Sequence, residues 1–320
     1  MTRFLAGRLL QAVIVLAVMS FAVYGLIGLM PGDPIDAMIA ADPELTSEDT
    51  ERLKAVYGLD RPVWERYLSW AGQALGGDFG HSRIYHRPAL DLLAERLPHT
   101  VLLMGLAFAL SVAIAIPAGI FAALKANRFG DYAVNFICFA GISTPPFWLA
   151  IMAMLLFSVT LGWLPATGYP AAGDAGWPER LRHLILPVAV LGLLSAGGIT
   201  RYVRASMREA LRQDYVRTAR AKGLSRAAAV RRHVLRNAMI PVVTILALDM
   251  GALFSGALIT EIMFGYPGMG ALIYNAVMAN DYNLALIGLL FATLTTLGAN
   301  IAADGAYIAL DPRIAFRAGT

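Results

Sequence analysis

At 320 residues the chain is long enough for two soluble domains, yet 58% of it is hydrophobic and only 15% is charged, against roughly 25% charged in a typical soluble domain. So little polar side chain cannot cover a water-exposed surface, which excludes a soluble globular protein and leaves an integral membrane protein. The net charge of +4, from 26 basic and 22 acidic residues, is informative only once the charges are placed, and the lone Cys138 excludes an internal disulfide or a cysteine-based metal site.

A bilayer crossing needs about 20 apolar residues at 1.5 Å each. Six stretches meet that length: Leu9–Met30, Val101–Leu124, Tyr132–Val159, Leu184–Val203, Ala238–Ile262 and Leu284–Leu310. The first follows Arg3 and Arg8, as a signal peptide would. Its apolar stretch of 22 residues exceeds the roughly 7–15 of a signal core, and Met30-Pro31-Gly32 offers no small-residue cleavage site, so it is expected to be a retained helix. The predicted class is an all-α membrane protein of six transmembrane helices.

Between spans one and two, Pro31–His99 carries 12 acidic and 7 basic residues. Trp64, Tyr67, Leu68 and Trp70, then Leu75, Leu90, Leu92, Leu93 and Leu97, recur at helical spacing. Gly76-Gly77-Asp78-Phe79-Gly80 interrupts them with a turn. The segment reads as short amphipathic helices forming a small external cap; for the tryptophans the alternative is an interfacial aromatic belt, which is the better reading for Trp163. With both termini inside, residues 1–8, 125–131, 201–237 and 311–320 hold 17 of the 26 basic residues. They are opposed there only by Asp131, Glu209, Asp214 and Asp311. The rule that Lys and Arg stay cytoplasmic therefore places the cap outside. The expected organisation is 1–30 tail and first span, 31–99 external cap, 100–310 transmembrane core, and 311–320 cytoplasmic tail.

Inside the spans, Pro117, Pro145-Pro146, Pro187 and Gly197-Gly198 read as kinks and close helix contacts. Charge in hydrocarbon is costly and so points to function. Asp249 stands 11 residues past Ala238, about 16 Å along a helix and so near the midplane. No basic residue of the chain shares that depth. Asp249 is expected to line a water-filled path, to meet a partner chain or to be protonated; the alternative is a plain hydrogen bond to a neighbouring Ser, Thr or backbone group. Asn300 and Asp304 are further path candidates. Glu261 leads the turn Phe264-Gly265-Tyr266-Pro267-Gly268, read as an outer gate or docking loop. His81, His86, His99, His183 and His233 are scattered and suggest no metal site.

The loop Arg201–Asn237 is the most informative segment. It is rich in Ala, Arg and Leu and free of proline, hence helix-forming. Arg201, Arg204, Arg208 and Arg212 share one helical face, where contact with anionic lipid head groups is the preferred reading. Gly223 after Lys222 suits a left-handed helix end, and Ser225 suits the cap of a following helix. Tyr215–Ser225 thus reads as a helix–Gly–helix elbow, with Ala219, Ala221 and Gly223 as a small-residue surface between Arg217, Arg220 and Lys222 for a partner to approach.

Tyr215-Val216-Arg217-Thr218-Ala219-Arg220-Ala221-Lys222-Gly223-Leu224-Ser225, with Leu235-Arg236-Asn237-Ala238-Met239-Ile240-Pro241 after it, resembles the cytoplasmic coupling loop of ABC importer permeases, in particular the dipeptide/oligopeptide (and nickel) family. Pro31-Gly32-Asp33-Pro34, Tyr57-Gly58-Leu59-Asp60-Arg61-Pro62, Gly77-Asp78-Phe79-Gly80-His81-Ser82, Arg96-Leu97-Pro98, Gly162-Trp163-Leu164-Pro165, Glu261 through Gly270 and Leu310-Asp311-Pro312-Arg313 fit the same family in order and spacing. Arg217 and Thr218 stand where the general importer motif has an acidic residue and an alanine, and the interval from Gly223 to Pro241 is long; both features are similar to the peptide branch.

The resemblance implies the transmembrane domain of a type I ABC importer, working with a second related permease, two cytoplasmic ATPases and a periplasmic substrate-binding protein in a bacterial inner membrane. Tyr215, Arg217, Thr218, Ala219, Arg220, Ala221, Lys222, Gly223 and Leu224 would engage an ATPase. ATP and Mg would be bound by the partner ATPases; this chain has no Gly-rich loop ending in Lys-Ser/Thr. It would be non-catalytic, with no cofactor of its own, and membrane lipid but no nucleic acid among its partners. Peptides are the implied cargo. Nickel or a chelate, glutathione or another small solute is the alternative, and a secondary transporter is a remoter one, since the basic elbow would then be superfluous.

Overall fold

The computed structural model describes residues 2–29, 61–170 and 176–310. The expected motifs at 31–34 and 57–60 and the tail at 311–320 lie outside the described residues. Among the described residues the secondary structure is helical, with one isolated bridge between His81 and Pro88.

The elements are α1 (Thr2–Gly28), α2 (Val63–Leu75), α3 (Ala89–Leu124), α4 (Phe129–Ser143), α5 (Pro146–Ala153), α6 (Trp177–Leu211), α7 (Asp214–Ala221), α8 (Arg226–Ala229), α9 (Leu235–Met263), α10 (Met269–Met278) and α11 (Tyr282–Leu310). π-helical turns extend α5 over Met154–Thr160 and join α8 to α9 over Val230–Val234. Helices α1, α3, α6 and α11 are each long and apolar enough to cross a bilayer, and the bent pair formed by α4 and α5 makes a fifth span if counted as one.

That bend falls at Pro145-Pro146, where a kink is expected, and divides the expected third span over Tyr132–Val159 into two helices. The axis turns by 103° between Ser143 and Pro146. A residue preceding proline is pushed out of the helical region, and two such residues follow one another: Thr144 has ψ 124° and Pro145 has ψ 137°. Pro146 then starts α5, where its missing N–H costs nothing. By contrast Pro187 and Pro241 lie within continuous helices.

The chain forms two compact units, one of Met1, His99–Gly268 and Thr295–Thr320, the other of Thr2–Pro98 and Met269–Leu294. In the second unit, Tyr67 and Trp70 of α2 pack on Tyr24 of α1, at ring separations of 5.7 and 5.9 Å, and Ser20 and Tyr67 share a hydrogen bond of 2.7 Å. Trp64 and Leu68 stay exposed. The two expected uses of this apolar face are thus divided between residues. Leu92 and Leu93 belong to the first turns of α3 and are buried with Leu284 and Ile287, so the second half of the expected cap is not a separate helix. The 36 residues of α3 rise about 54 Å at 1.5 Å each, well beyond the roughly 30 Å of hydrocarbon. Ser82 Oγ donates to Asp281 at 2.5 Å, and Asn283 Nδ2 donates to the His81 carbonyl at 3.0 Å. These bonds clasp the turn after α2 to the turn between α10 and α11.

In the first unit the helices meet where side chains are smallest, as membrane helices do. A Cβ on Gly119 of α3 would lie 2.6 Å from Val203 Cβ of α6, and one on Gly197 of α6 would lie 3.0 Å from the Cys138 carbonyl of α4. Gly198 has open space instead, so of the expected glycine pair only Gly197 makes the contact.

Candidate functional site

The elbow is built outward from α6. Its 35 residues rise about 52 Å, so it carries past the hydrocarbon and ends at Leu211, with Arg201, Arg204 and Arg208 still on the helix. Gln213 breaks to an extended conformation before α7. Val216 of α7 is buried with Met207 and Ala210 of α6 and Val234 of the π turn, and Ala219 is buried on the same face of α7. The opposite face presents Tyr215, Arg217, Thr218, Arg220, Ala221 and Lys222 to solvent. Ala219 therefore serves inward packing, which removes it from the expected small-residue outer surface and leaves Ala221 and Gly223 there.

The end of α7 is closed by its own backbone. Gly223 has φ +89°, its N–H donates to the Arg220 carbonyl at 3.0 Å, and the Leu224 N–H donates to the Ala219 carbonyl at 3.2 Å. This pair of bonds satisfies the last carbonyls and needs a left-handed residue, hence glycine. The Ser225 hydroxyl accepts from the Ala228 N–H at 3.3 Å and starts α8. Arg217, Arg220, Ala221, Gly223, Leu224, Ser225 and Arg226 surround an open depression. Three guanidinium groups make it strongly positive.

The turn after α9 is a compact knot. Glu261 is fully buried and accepts from Thr100 Oγ1 at 2.7 Å, while its carbonyl accepts from the Tyr266 N–H at 2.8 Å. A Cβ on Gly268 would come within 2.0 Å of the Glu261 carboxyl group, so glycine there makes room for the acid. Phe264 is buried and its carbonyl accepts from the Gly168 N–H at 2.8 Å. Gly265 has φ +58° and lies against Gly168. Tyr266 packs edge-on to His99 and Tyr169 and donates to the His99 carbonyl at 3.0 Å. Burial, then the neighbouring Tyr169 and Glu261, push its phenol well above the ordinary tyrosine range. Of the five expected gate residues, Gly265 is exposed and Pro267 half-buried, whereas Glu261, Phe264 and Gly268 lie inside.

The path candidates lie on two helices, with Asn300 and Asp304 one turn apart on α11. Asp249 lies in α9 half-buried, with Oδ2 buried and without a hydrogen-bond partner among the described residues. Asn300 is exposed on α11. Asp304 lies on the same helix, with its side chain outside the described residues.

One group escaped the sequence reading. Asp131, 1% exposed, accepts from Arg204 Nε at 2.5 Å and Nη2 at 2.7 Å. It also accepts from the Asn127 N–H at 2.9 Å and from Asn135 Nδ2 at 2.8 Å. Arg201 lies 4.7 Å from the Phe139 ring centre. Both arginines had been read as lipid anchors, and Arg204 is instead committed to an ion pair. Helical periodicity put them on one face but carried no signal of an acid 73 residues away.

The chain's relationships agree with this architecture. Residues 115–316 match the family described as binding-protein-dependent transport system inner membrane component, and residues 1–104 match its N-terminal counterpart. A Brucella ovis protein named as a peptide permease is 41% identical over 316 residues, covering 98% of this chain and 99% of its own. The oligopeptide transport system permease protein AppB of Bacillus subtilis is 34% identical, covering 99% and 100%. The glutathione transport system permease protein GsiC of Escherichia coli is 36% identical with the same coverage. Among solved structures, the inward-facing MetNI methionine ABC transporter superposes with a TM-score of 0.54 at 17% identity, over 68% of this chain and 96% of its own, a likeness of fold. A chain matched by both models over nearly its whole length belongs to the family of binding-protein-dependent transport system inner membrane components.

Proposed function

We propose that this permease imports peptides through a bacterial inner membrane as one of two related membrane subunits, driven by two ATPases and supplied by a periplasmic binding protein. Six spans with cytoplasmic termini fit the charge distribution, with α9 as the span beyond those counted by length and apolarity. The surface bearing α2 then faces the periplasm, and the elbow faces the ATPases, where ATP and Mg are bound. This chain contributes no catalysis in this reading and lies against membrane lipid.

The observation that carries the proposal is the elbow. A positive, exposed face stands on a helix whose other face is buried against α6 and the start of α9. A force on α7 thus reaches two spans through packed side chains, as a discrete shift between packings requires. Tyr215, Arg217, Thr218, Arg220, Ala221, Lys222 and Gly223 would meet the ATPase, with Ala219 and Leu224 bracing them. The Glu261–Gly268 knot would brace the periplasmic gate. Asp249, Asn300 and Asp304 would lie along the path.

The test is uptake by the complete importer in vesicles, with ATP hydrolysis measured alongside. Gly223→Pro, which removes the N–H closing α7, and Arg220→Glu, which reverses charge at the contact, are expected to lower uptake at least tenfold while the complex still hydrolyses ATP. Unchanged uptake in both would overturn the elbow assignment. The glutathione relative supports a second reading in which the same machine carries that solute, and competition between glutathione and a dipeptide mixture separates the two; nickel or its chelates belong in the same panel. Uptake without any ATPase would favour a secondary transporter.

A further inference from the structure

The core beneath the elbow explains how α6 and α9 follow it, and α3 joins that core through Ala115 and Ala123. Helix α4 contributes nothing to that buried cluster. It meets α6 instead along one line, through Cys138 against Gly197, Phe139 beneath Arg201, and Asp131 with Arg204. The first two, a close approach to a backbone carbonyl and a cation over a ring, leave the relative direction of the helices open. The third does not: both oxygens of Asp131 are engaged by the planar fork of Arg204, a geometry that fixes direction as well as distance.

The carboxylate is prepared for that partner. Asn127 sits at φ +62°, a left-handed conformation uncommon outside glycine, and so aims its N–H at Asp131 Oδ2. Asn135, one turn further along α4, closes on Oδ1. A buried carboxylate left without its cation is strongly unfavourable, so the pair resists separation during any movement of α6. Arg204 stands seven residues, about 10 Å at helical rise, from the end of α6 at Leu211, close to the joint with α7.

We infer that Asp131 and Arg204 are a positioning pair for transport: they lock the start of the bent span to the root of the elbow, so that α4 moves with α6 when the ATPases close. The inference rests on the elbow reading above. Neither residue touches cargo or nucleotide; each acts through the helix that carries it. Without the lock, α6 and α9 move but α4 lags, and ATP is spent without a complete opening of the path.

The test uses the whole importer in vesicles and reads the ratio of solute imported to ATP hydrolysed. Asp131→Asn and Arg204→Gln are expected to keep the ATPases bound through purification and to lower that ratio about tenfold. Exchange of the two charges, Asp131→Arg with Arg204→Asp, is expected to recover several-fold over either single variant. Arg204→Lys retains charge without the fork and serves if the neutral variants fail to assemble; an intermediate ratio is expected. A wild-type ratio in any assembled single variant overturns the inference, and so does a doubly exchanged chain that assembles but recovers nothing. Gly223→Pro measured beside them separates the two claims. If it is uncoupled while Asp131→Asn is not, the positioning pair fails and the elbow stands; if Gly223→Pro, Arg220→Glu and Asp131→Asn are all coupled as wild type, both fail.

Discussion

A single carboxylate shows how burial alters the meaning of a residue. Glu261 at the end of an apolar span reads from sequence as a gate or docking group, because charge at a membrane boundary is usually presented to something. The structure encloses it between Thr100 and Gly268, with its carbonyl accepting from the Tyr266 N–H. Gly268→Ala is expected to destabilise the chain by about 1–3 kcal/mol, the usual cost of overpacking. Thr100→Val, which removes a donor from a buried acid, is expected to cost about 1–3 kcal/mol as well. Both are checked by the melting temperature of the detergent-solubilised importer. Asp249 is the opposite case, since its Oδ2 has no hydrogen-bond partner among the described residues. If it faces the path, Asp249→Asn should weaken uptake of peptides with a free, positively charged N-terminus more than of N-acetylated ones. Equal loss for both would mark it as structural.

At the scale of elements, what the sequence declares depends on how local the determinant is. The left-handed end of α7 and the cap of α8 were legible because Gly223 and Ser225 act on backbone groups within three residues of themselves. Ser225→Ala should therefore cost about 1 kcal/mol of local stability, visible as faster amide exchange in α8. The bend in the third span was written in Pro145-Pro146 but underread, because one proline inside a membrane helix is tolerated whereas two in succession force two residues out of the helical region. The partner of Arg204 was not legible at all. Ion pairs between helices depend on how those helices are docked, which periodicity along one helix does not encode. The same holds for Ala219, whose small side chain suited either an outer surface or an inner contact until α6 and the π turn were in place.

Over the whole molecule, composition alone settled the class and charge asymmetry proposed the orientation. Orientation is testable without assuming any mechanism. In a Cys138→Ser background, Lys222→Cys should react with a membrane-impermeant thiol reagent only in inside-out vesicles, and Gln73→Cys only in intact spheroplasts. Labelling from the opposite sides would invert the topology. The excess length of α3 and α6 over the hydrocarbon agrees with this arrangement. In α3 the surplus turns carry Asp91, Glu95 and Arg96, and in α6 they fall at both ends, with Glu179, Arg180 and Arg182 at one and Arg201, Arg204 and Arg208 at the other.

The closed end of α7 has a mechanical corollary. A helix that met its neighbours only through a loose loop would resist being pushed but go slack when drawn back. Here the Gly223 and Leu224 amides tie off the helix end, and Val216 seats it on α6 and the start of α9. Under the coupling role proposed for α7, such a joint would bear tension as well as compression, and separation of the ATPases would haul the spans back under load instead of leaving their return to elastic recoil.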